Sequence, residues 1–310
     1  MPSWVLKAGT QKILSGLPGA HAVNHLLQEW FTHSLDLTAD RLTSQLEHCA
    51  RHLEAFVRAR GRVPETALEV GTGWSPLVPL GLHLCGTREV WTLDRVTHLS
   101  TEGIRRTLRA LSEKVRAGEL VTLLPRAVPE RVVRLVELSE NGPNGEGTRT
   151  LAGLGIRAWA GDATRIPLSA GSAELTFTNS VLQHMKVEVV EGVLREMRRV
   201  VSREGVTSHF IDLGDHYISF DPSIGVYNFL KFSDRAWKLV NSRLHLLNRL
   251  RISDYRRLFS AAGWEIREEA SKRGSPADLE AIRLAPRFRQ YPLDDLLVYR
   301  SWITAVPSAS

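Results

Sequence analysis

Ala67-Leu-Glu-Val-Gly-Thr-Gly-Trp74 is the stretch that decides the fold. Its apolar start reads as a short buried strand, and Glu69, Gly71 and Gly73 as an acidic strand end running into a glycine-rich turn. An apolar, helix-like run from Leu77 to Leu84 follows at once. Strand, glycine turn and helix in that order make a cradle, because glycine lets backbone approach a ligand where a Cβ would collide. A dinucleotide-binding turn has the form G-x-G-x-x-G and aims its helix N-terminus at a pyrophosphate. Here Ser75 and Pro76 stand where the third glycine would be, and the carboxylate of Glu69 lies just upstream. A carboxylate in that place suits a ligand with cationic and hydroxyl groups better than an anion.

Outward from this turn, strand and helix patterns alternate, which predicts a mainly parallel sheet with helices on both faces. Strands are expected near 66–70, 89–94, 155–160, 174–179 and 205–212, with two more near 264–270 and 296–305. Helices are expected near 76–85, 99–117, 128–138 and 186–202. Residues 1–62 read as a helical cap placed before the sheet. Within it Leu42, Leu46, Cys49, Leu53 and Phe56 fall on one helix face, with Thr38 as N-cap and Gly61 as stop. Residues 63–310 form the main domain. The glycine-rich run Asn141 to Gly147 reads as a flexible loop in a long connection. An inserted segment at 213–252, rich in aromatics interleaved with Arg and Lys, is expected to cover a substrate. Ser253 is expected to cap a helix ending at Gly263.

The 310 residues are 43% hydrophobic and 24% charged, ordinary values for a globular chain. A net charge of +6 permits an anionic partner and proves none. Two cysteines, Cys49 and Cys85, provide no disulfide framework and no thiolate metal site. No apolar run approaches a membrane span, so a cytoplasmic location is expected. Trp4 to Leu17 is weakly amphipathic: packing on the domain is its expected role, with peripheral membrane contact or cover of a substrate pocket as alternatives.

Four motifs stand at predicted strand ends in a fixed order. They are Glu69-Val-Gly71-Thr-Gly73, Trp91-Thr-Leu-Asp94, Gly161-Asp162-Ala163 and Leu175-Thr-Phe-Thr-Asn179-Ser-Val-Leu-Gln-His184. Together they resemble the class I S-adenosylmethionine (SAM)-dependent methyltransferases, specifically the broad type 11 group, from about Glu65 to Val306. The resemblance implies a Rossmann-like α/β fold: a seven-stranded, mainly parallel sheet whose final strand is antiparallel. It implies SAM as cofactor and S-adenosylhomocysteine (SAH) as product. SAM carries an ammonium and a sulfonium, in keeping with Glu69. Asp94 lies about 20 residues past the glycines, where a ribose-binding acid belongs. Gly71, Thr72 and Gly73 would pass the methionine moiety, and Gly161, Asp162 and Ala163 would face the adenine. Trp74, Arg95, Asn179 and Ser180 would border the cofactor. For Asp162 an Asx-turn is the structural alternative.

Methyl transfer from a sulfonium is an in-line displacement, so a base is needed only when the acceptor must lose a proton. His184, after the fourth strand, and His216, after the fifth, are the candidate bases, and Asp215 is a candidate to orient His216. A metal site from His184, Asp212 and His216 has no ligand spacing to recommend it, so no metal is expected. The expected function is methyl transfer to a small molecule, anionic or aromatic, with oxygen the favoured acceptor atom. A nucleic-acid methyltransferase and a non-catalytic SAM-binding sensor are the alternatives. The former is disfavoured because Asn179-Ser-Val-Leu lacks a Pro-Pro step.

Overall fold

The computed structural model describes residues 4, 9, 12, 37–141, 147–242 and 246–309. The helical cap expected over 1–36 therefore lies outside the described residues, except at Trp4, Gly9 and Lys12. So do residues 142–146 of the expected flexible loop and 243–245 of the inserted segment.

Seven strands form one sheet: β1 (Thr66–Val70), β2 (Glu89–Asp94), β3 (Ile156–Ala160), β4 (Ala173–Asn179), β5 (Val201–Asp212), β6 (Trp264–Arg273) and β7 (Val298–Pro307). Their order is β3-β2-β1-β4-β5-β7-β6. Neighbours from β3 through β5 are parallel, and β7 runs antiparallel to both β5 and β6. The last strand is thus inserted between two earlier ones, and the expected seven-stranded architecture is present. Strand order reverses at the β1–β4 pair, and in such a sheet a crevice opens beyond the carboxyl ends there.

The longer helices are α1 (Ala39–Arg60), α2 (Leu77–Leu84), α3 (Thr101–Arg116), α4 (Pro129–Asn141), α5 (Gly147–Gly153), α6 (Val187–Val200), α7 (Asp234–Val240) and α8 (Ile252–Ala261). One core joins α1, α2 and α3 to the sheet through Leu46, Leu53, Leu80, Leu108 and Phe177. A second joins α6 and α8 through Leu68, Val193, Met197, Tyr255 and Ile303. Thr38 caps α1 through the Arg41 amide at 3.3 Å, and Gly61 closes it in the left-handed region.

Ser253 does not cap α8. Arg251 holds the N-cap position, and its amide donates to Asp254 Oδ2 at 2.9 Å. Ser253 instead bonds Asp295 through its amide and hydroxyl, both at 2.8 Å. The carboxylate of Asp254, three residues beyond the cap, thus satisfies the cap residue's own amide, one arm of a capping box.

A third, aromatic cluster lies over the carboxyl side of the sheet. It contains Trp4, Tyr217, Tyr227, Phe229, Trp237 and Phe288. The segment from 213 is built of 3-10 turns at His216–Ser219 and Asn228–Lys231, then α7. Arg251 pins it to the sheet. Fully buried, it donates to the carbonyls of Leu213 at 2.9 Å, Leu296 at 3.2 Å and Val298.

Candidate active site

The first half of the site is built from the ends of β1, β2 and β3. Glu69 is buried, and its Oε2 accepts from the Thr92 hydroxyl at 2.8 Å. Burial raises its pKa to about 8; the Thr92 hydrogen bond opposes the rise and the Asp94 charge adds to it. A buried carboxyl of this kind gains when a cation arrives, because the charge then has a partner. Thr72 and Thr92 hydroxyls are also hydrogen-bonded to each other.

The glycines divide the work of the turn. Gly71 has φ of 94°, and a Cβ there would lie 2.3 Å from Val181 Cγ2, so this glycine admits the loop after β4. Gly73, at φ 65°, would meet nothing within 4 Å: its open side faces the crevice. Its amide donates to Asp94 Oδ2 at 2.9 Å, while the Arg95 amide donates to Asp94 Oδ1 at 2.7 Å. Gly161 closes on the same point, its amide donating to the Asp94 carbonyl at 2.8 Å.

A narrow cavity of about 30 Å³, open to solvent, is lined here by Thr72, Gly73, Asp94, Val96, His98 and Trp159, among others. The indole Nε1 of Trp159 is buried without a hydrogen-bond partner. Such an orphan donor suits a ligand bearing a ring acceptor. Trp74 packs on His98 with ring centroids 4.3 Å apart. Asp162 is exposed at the edge and forms an Asx-turn, its Oδ1 accepting from the Thr164 amide at 2.9 Å and hydroxyl at 2.7 Å. These bonds hold its pKa below the ordinary carboxylate value. Ala163, beside it, packs at the margin of the second core.

The second half lies beyond β4, β5 and β7. Asn179 ends β4, but its side chain is held by α1: His48 Nδ1 lies 2.7 Å from its Oδ1, and its Nδ2 donates to Gln45 at 2.8 Å. Ser180 follows with φ of 58°, a left-handed conformation costing a non-glycine residue about 1 kcal/mol. His48 packs on Phe210 at 4.4 Å and Trp302 at 5.1 Å. Burial lowers its pKa, against the hydrogen bond that its ring donates to Asn179 Oδ1.

His184 sits at the end of a 3-10 turn, its Nδ1 2.7 Å from the Leu246 carbonyl. A carbonyl only accepts, so the proton is on Nδ1 and Nε2 carries the lone pair. Crowding by protein, then the adjacent His216, lowers its pKa, so the ring is neutral at pH 7. The two rings meet edge to face with centroids 4.9 Å apart. Asp212, not Asp215, is the acid nearest His216: Nε2 lies 3.7 Å from Asp212 Oδ1. Asp215 points elsewhere, accepting from the Tyr217 amide and Asn228 Nδ2, both at 2.9 Å. Burial alone would raise the Asp212 pKa, but His216, the Gly214 amide and Arg300 outweigh it and hold it low.

The structure thus brings Gly73, Asp94 and Gly161 together at one crevice and His184 with His216 at another point of the same sheet edge. Gln45, His48 and Arg300 are the residues that sequence reasoning missed. Gln45, His48 and His52 do form a polar stripe at helical spacing beside the apolar stripe of α1, the one signal available. Among the described residues, no group of three His, Cys, Asp or Glu is placed to hold a metal ion. None of their helices is long and apolar enough to cross a membrane.

The profile of the methyltransferase-domain family matches residues 117–208, which span β3, β4 and most of β5. That match covers less than a third of the chain and marks a methyltransferase domain within it. Among solved structures, a protein from Pyrococcus horikoshii superposes with a TM-score of 0.50 at 11% identity, over 91% of this chain and 98% of that one. That likeness shows the fold alone. The YcgJ protein of Bacillus subtilis gives 0.43 at 12% identity, over 84% and 99% of the two chains. A geranyl diphosphate C-methyltransferase from Streptomyces coelicolor, solved with Mg²⁺, geranyl diphosphate and SAH, gives 0.45 at 11% identity, over 85% and 78%. No curated protein sequence matches the chain.

Proposed function

We propose that this methyltransferase transfers the SAM methyl group to an oxygen of a small molecule. The observation that carries the cofactor half is the convergence on Asp94: Gly73 and Arg95 amides on its carboxylate, the Gly161 amide on its carbonyl, and an open cavity beside them. Asp94 would hold the ribose hydroxyls, Trp159 and Val96 would flank the base, and Glu69 would lie toward the ammonium, with Gly71, Thr72 and Gly73 along the chain between. The sulfonium supplies a methyl group that needs no further activation. The protein's part is alignment and exclusion of water.

The acceptor would bind at the second half, between α1 and the segment 213–252, which acts as its cover. An oxygen acceptor is supported by His184. With Nδ1–H fixed on Leu246, its Nε2 carries the lone pair needed to take a hydroxyl proton. The Asp212 carboxylate, 3.7 Å from His216 Nε2, would add negative charge beside the ring pair and so favour proton uptake by His184. Residues 1–62 would form an appended helical unit and 63–310 the catalytic domain.

A thermal-shift comparison of SAM with NAD⁺ tests the cofactor, because stabilisation follows ligand occupancy. SAM should raise the melting temperature and NAD⁺ should leave it unchanged. Methyl-labelled SAM should then pass label to hydroxylated acceptors and not to their deoxy analogues; transfer to nucleic acid instead would overturn the small-molecule reading.

A further inference from the structure

A second imidazole, that of His48, reaches the carboxyl ends of β4, β5 and β7 from α1. Glu69 pairs with Phe177 in the sheet, so Gly71 and Asn179, two residues further, leave it side by side. His48 is thus one hydrogen bond from a strand end that abuts the cofactor turn. Asn179, Phe210 and Trp302 lie in one line across β4, β5 and β7. The His48 ring stands on that line, with centroids 4.4 Å from Phe210 and 5.1 Å from Trp302, which are themselves 5.0 Å apart.

Two amides fix the tautomer of this ring. Asn179 Nδ2 donates to Gln45 Oε1 at 2.8 Å, which turns Asn179 Oδ1 toward His48 Nδ1, 2.7 Å away. An amide oxygen only accepts, so the hydrogen sits on Nδ1 and the lone pair on Nε2. Among the described residues Nε2 makes no hydrogen bond, and on this half-buried side chain it is not sealed from solvent. His52, one turn along α1, shows the contrast. It is fully buried, with Nδ1 2.9 Å from the Ser208 hydroxyl, as a packing histidine is. In His48 the ring is clamped, its hydrogen is placed and its lone pair is left open, which makes a preset hydrogen-bond acceptor.

We propose that His48 Nε2 orients the methyl acceptor by taking a hydrogen bond from it, and that Gln45 positions His48 through Asn179. The proposal rests on the methyltransferase reading above and adds the acceptor's chemical class: a molecule with an N–H or O–H besides the hydroxyl that is methylated. The reacting proton goes to His184, so His48 needs a donor of its own. A carboxylate has no hydrogen to offer the lone pair, and it would force a proton onto a ring that burial keeps neutral.

The test uses the full-length protein, methyl-labelled SAM and a deproteinised small-molecule cell extract as the pool of acceptors. Long-range proton–nitrogen NMR of histidine-labelled protein saturated with SAH should show His48 as the Nδ1–H tautomer. Gln45→Leu releases the Asn179 amide and should move His48 toward the Nε2–H form, with slower label transfer. Gln45→Glu keeps the acceptor oxygen and should restore both. His48→Phe keeps the ring packing and should cut label transfer at least about tenfold, with SAH affinity within about twofold. Gln45 is half-buried, so its variants keep the test decisive should His48→Phe fail to fold. The labelled product, weighed by mass spectrometry in light and heavy water, should keep an exchangeable hydrogen. An Nε2–H tautomer in the wild type, an unchanged tautomer in Gln45→Leu, full transfer in folded His48→Phe, or a product with no exchangeable hydrogen would each overturn the inference alone. No label transfer from the wild type would overturn the methyltransferase reading and this inference together.

Discussion

The two halves of the site are joined by different kinds of contact. At the ends of β1 to β3, the bonds on the Asp94 carboxylate link residues close in sequence, Gly73 to Asp94 across 21 positions and Asp94 to its neighbour Arg95, and Gly161 joins them through the backbone pairing of adjacent strands. Beyond β4 and β5 they link distant ones: His48 to Asn179 across 131 positions and His184 to Leu246 across 62. The first half is a set of local turns that any acceptor's enzyme could share. The second is assembled by tertiary packing, and its chemistry belongs to this chain. Cofactor binding and acceptor choice should therefore separate under mutation.

The largest expected effect comes from the residue that pins the cover. Arg251→Met removes three charge-assisted hydrogen bonds to carbonyls of Leu213, Leu296 and Val298, and should cost about 3 kcal/mol. Urea denaturation measures it, and a loss near zero would mean that the cover is held by its aromatic cluster instead. Next is Asp94→Ala, which deletes the acceptor for two loop amides and the proposed ribose anchor. SAH affinity should fall at least about 100-fold by calorimetry, from two bonds to a charged group. His184→Ala should act on the other half only, with SAH affinity retained and label transfer reduced by about 10²-fold, the lower end of general-base effects. Full transfer in that variant would remove His184 from the mechanism.

The legible part of the molecule follows from the same division. The first four strands are bounded to within one residue by periodicity and glycine or acid punctuation, and the four motifs fall at their ends because a turn is encoded by the residues that make it. β6 runs three residues past its expected end, β7 is shifted two residues later, and β5 begins four residues earlier than expected, where the exposed Arg203 and Glu204 break the apolar pattern. Gln45 and His48 were invisible as site residues, since nothing in a helix stripe says which strand end it will meet. Asp215 beside His216 invited pairing, but Asp215 turns inward to cap a 3-10 turn and Asp212 takes the place, across one turn of backbone.

The smallest effect sharpens the cofactor half through pH. Glu69 has a folded pKa of about 8 against an ordinary value of 4.5. Between those limits the folded state keeps a proton that the unfolded state has lost, so this group makes stability fall as pH rises. The slope from Glu69 alone should be about 1.4 kcal/mol per pH unit at most. Wild type minus Glu69→Gln, measured across that window, isolates it. Calorimetry in buffers of different ionisation enthalpy should also show proton release when SAM binds at pH 7. Identical pH profiles for the two proteins would mean that Glu69 is ionised throughout.

The crystal structure of the SAH complex tests the central claim most directly. The account predicts ribose hydroxyls on the Asp94 carboxylate, the base against Trp159, the amino-acid end over Gly71 to Gly73 toward Glu69, and the sulfur facing the His184 side. Density for SAH away from the ends of β1 and β2, or with its sulfur turned from His184, would contradict it.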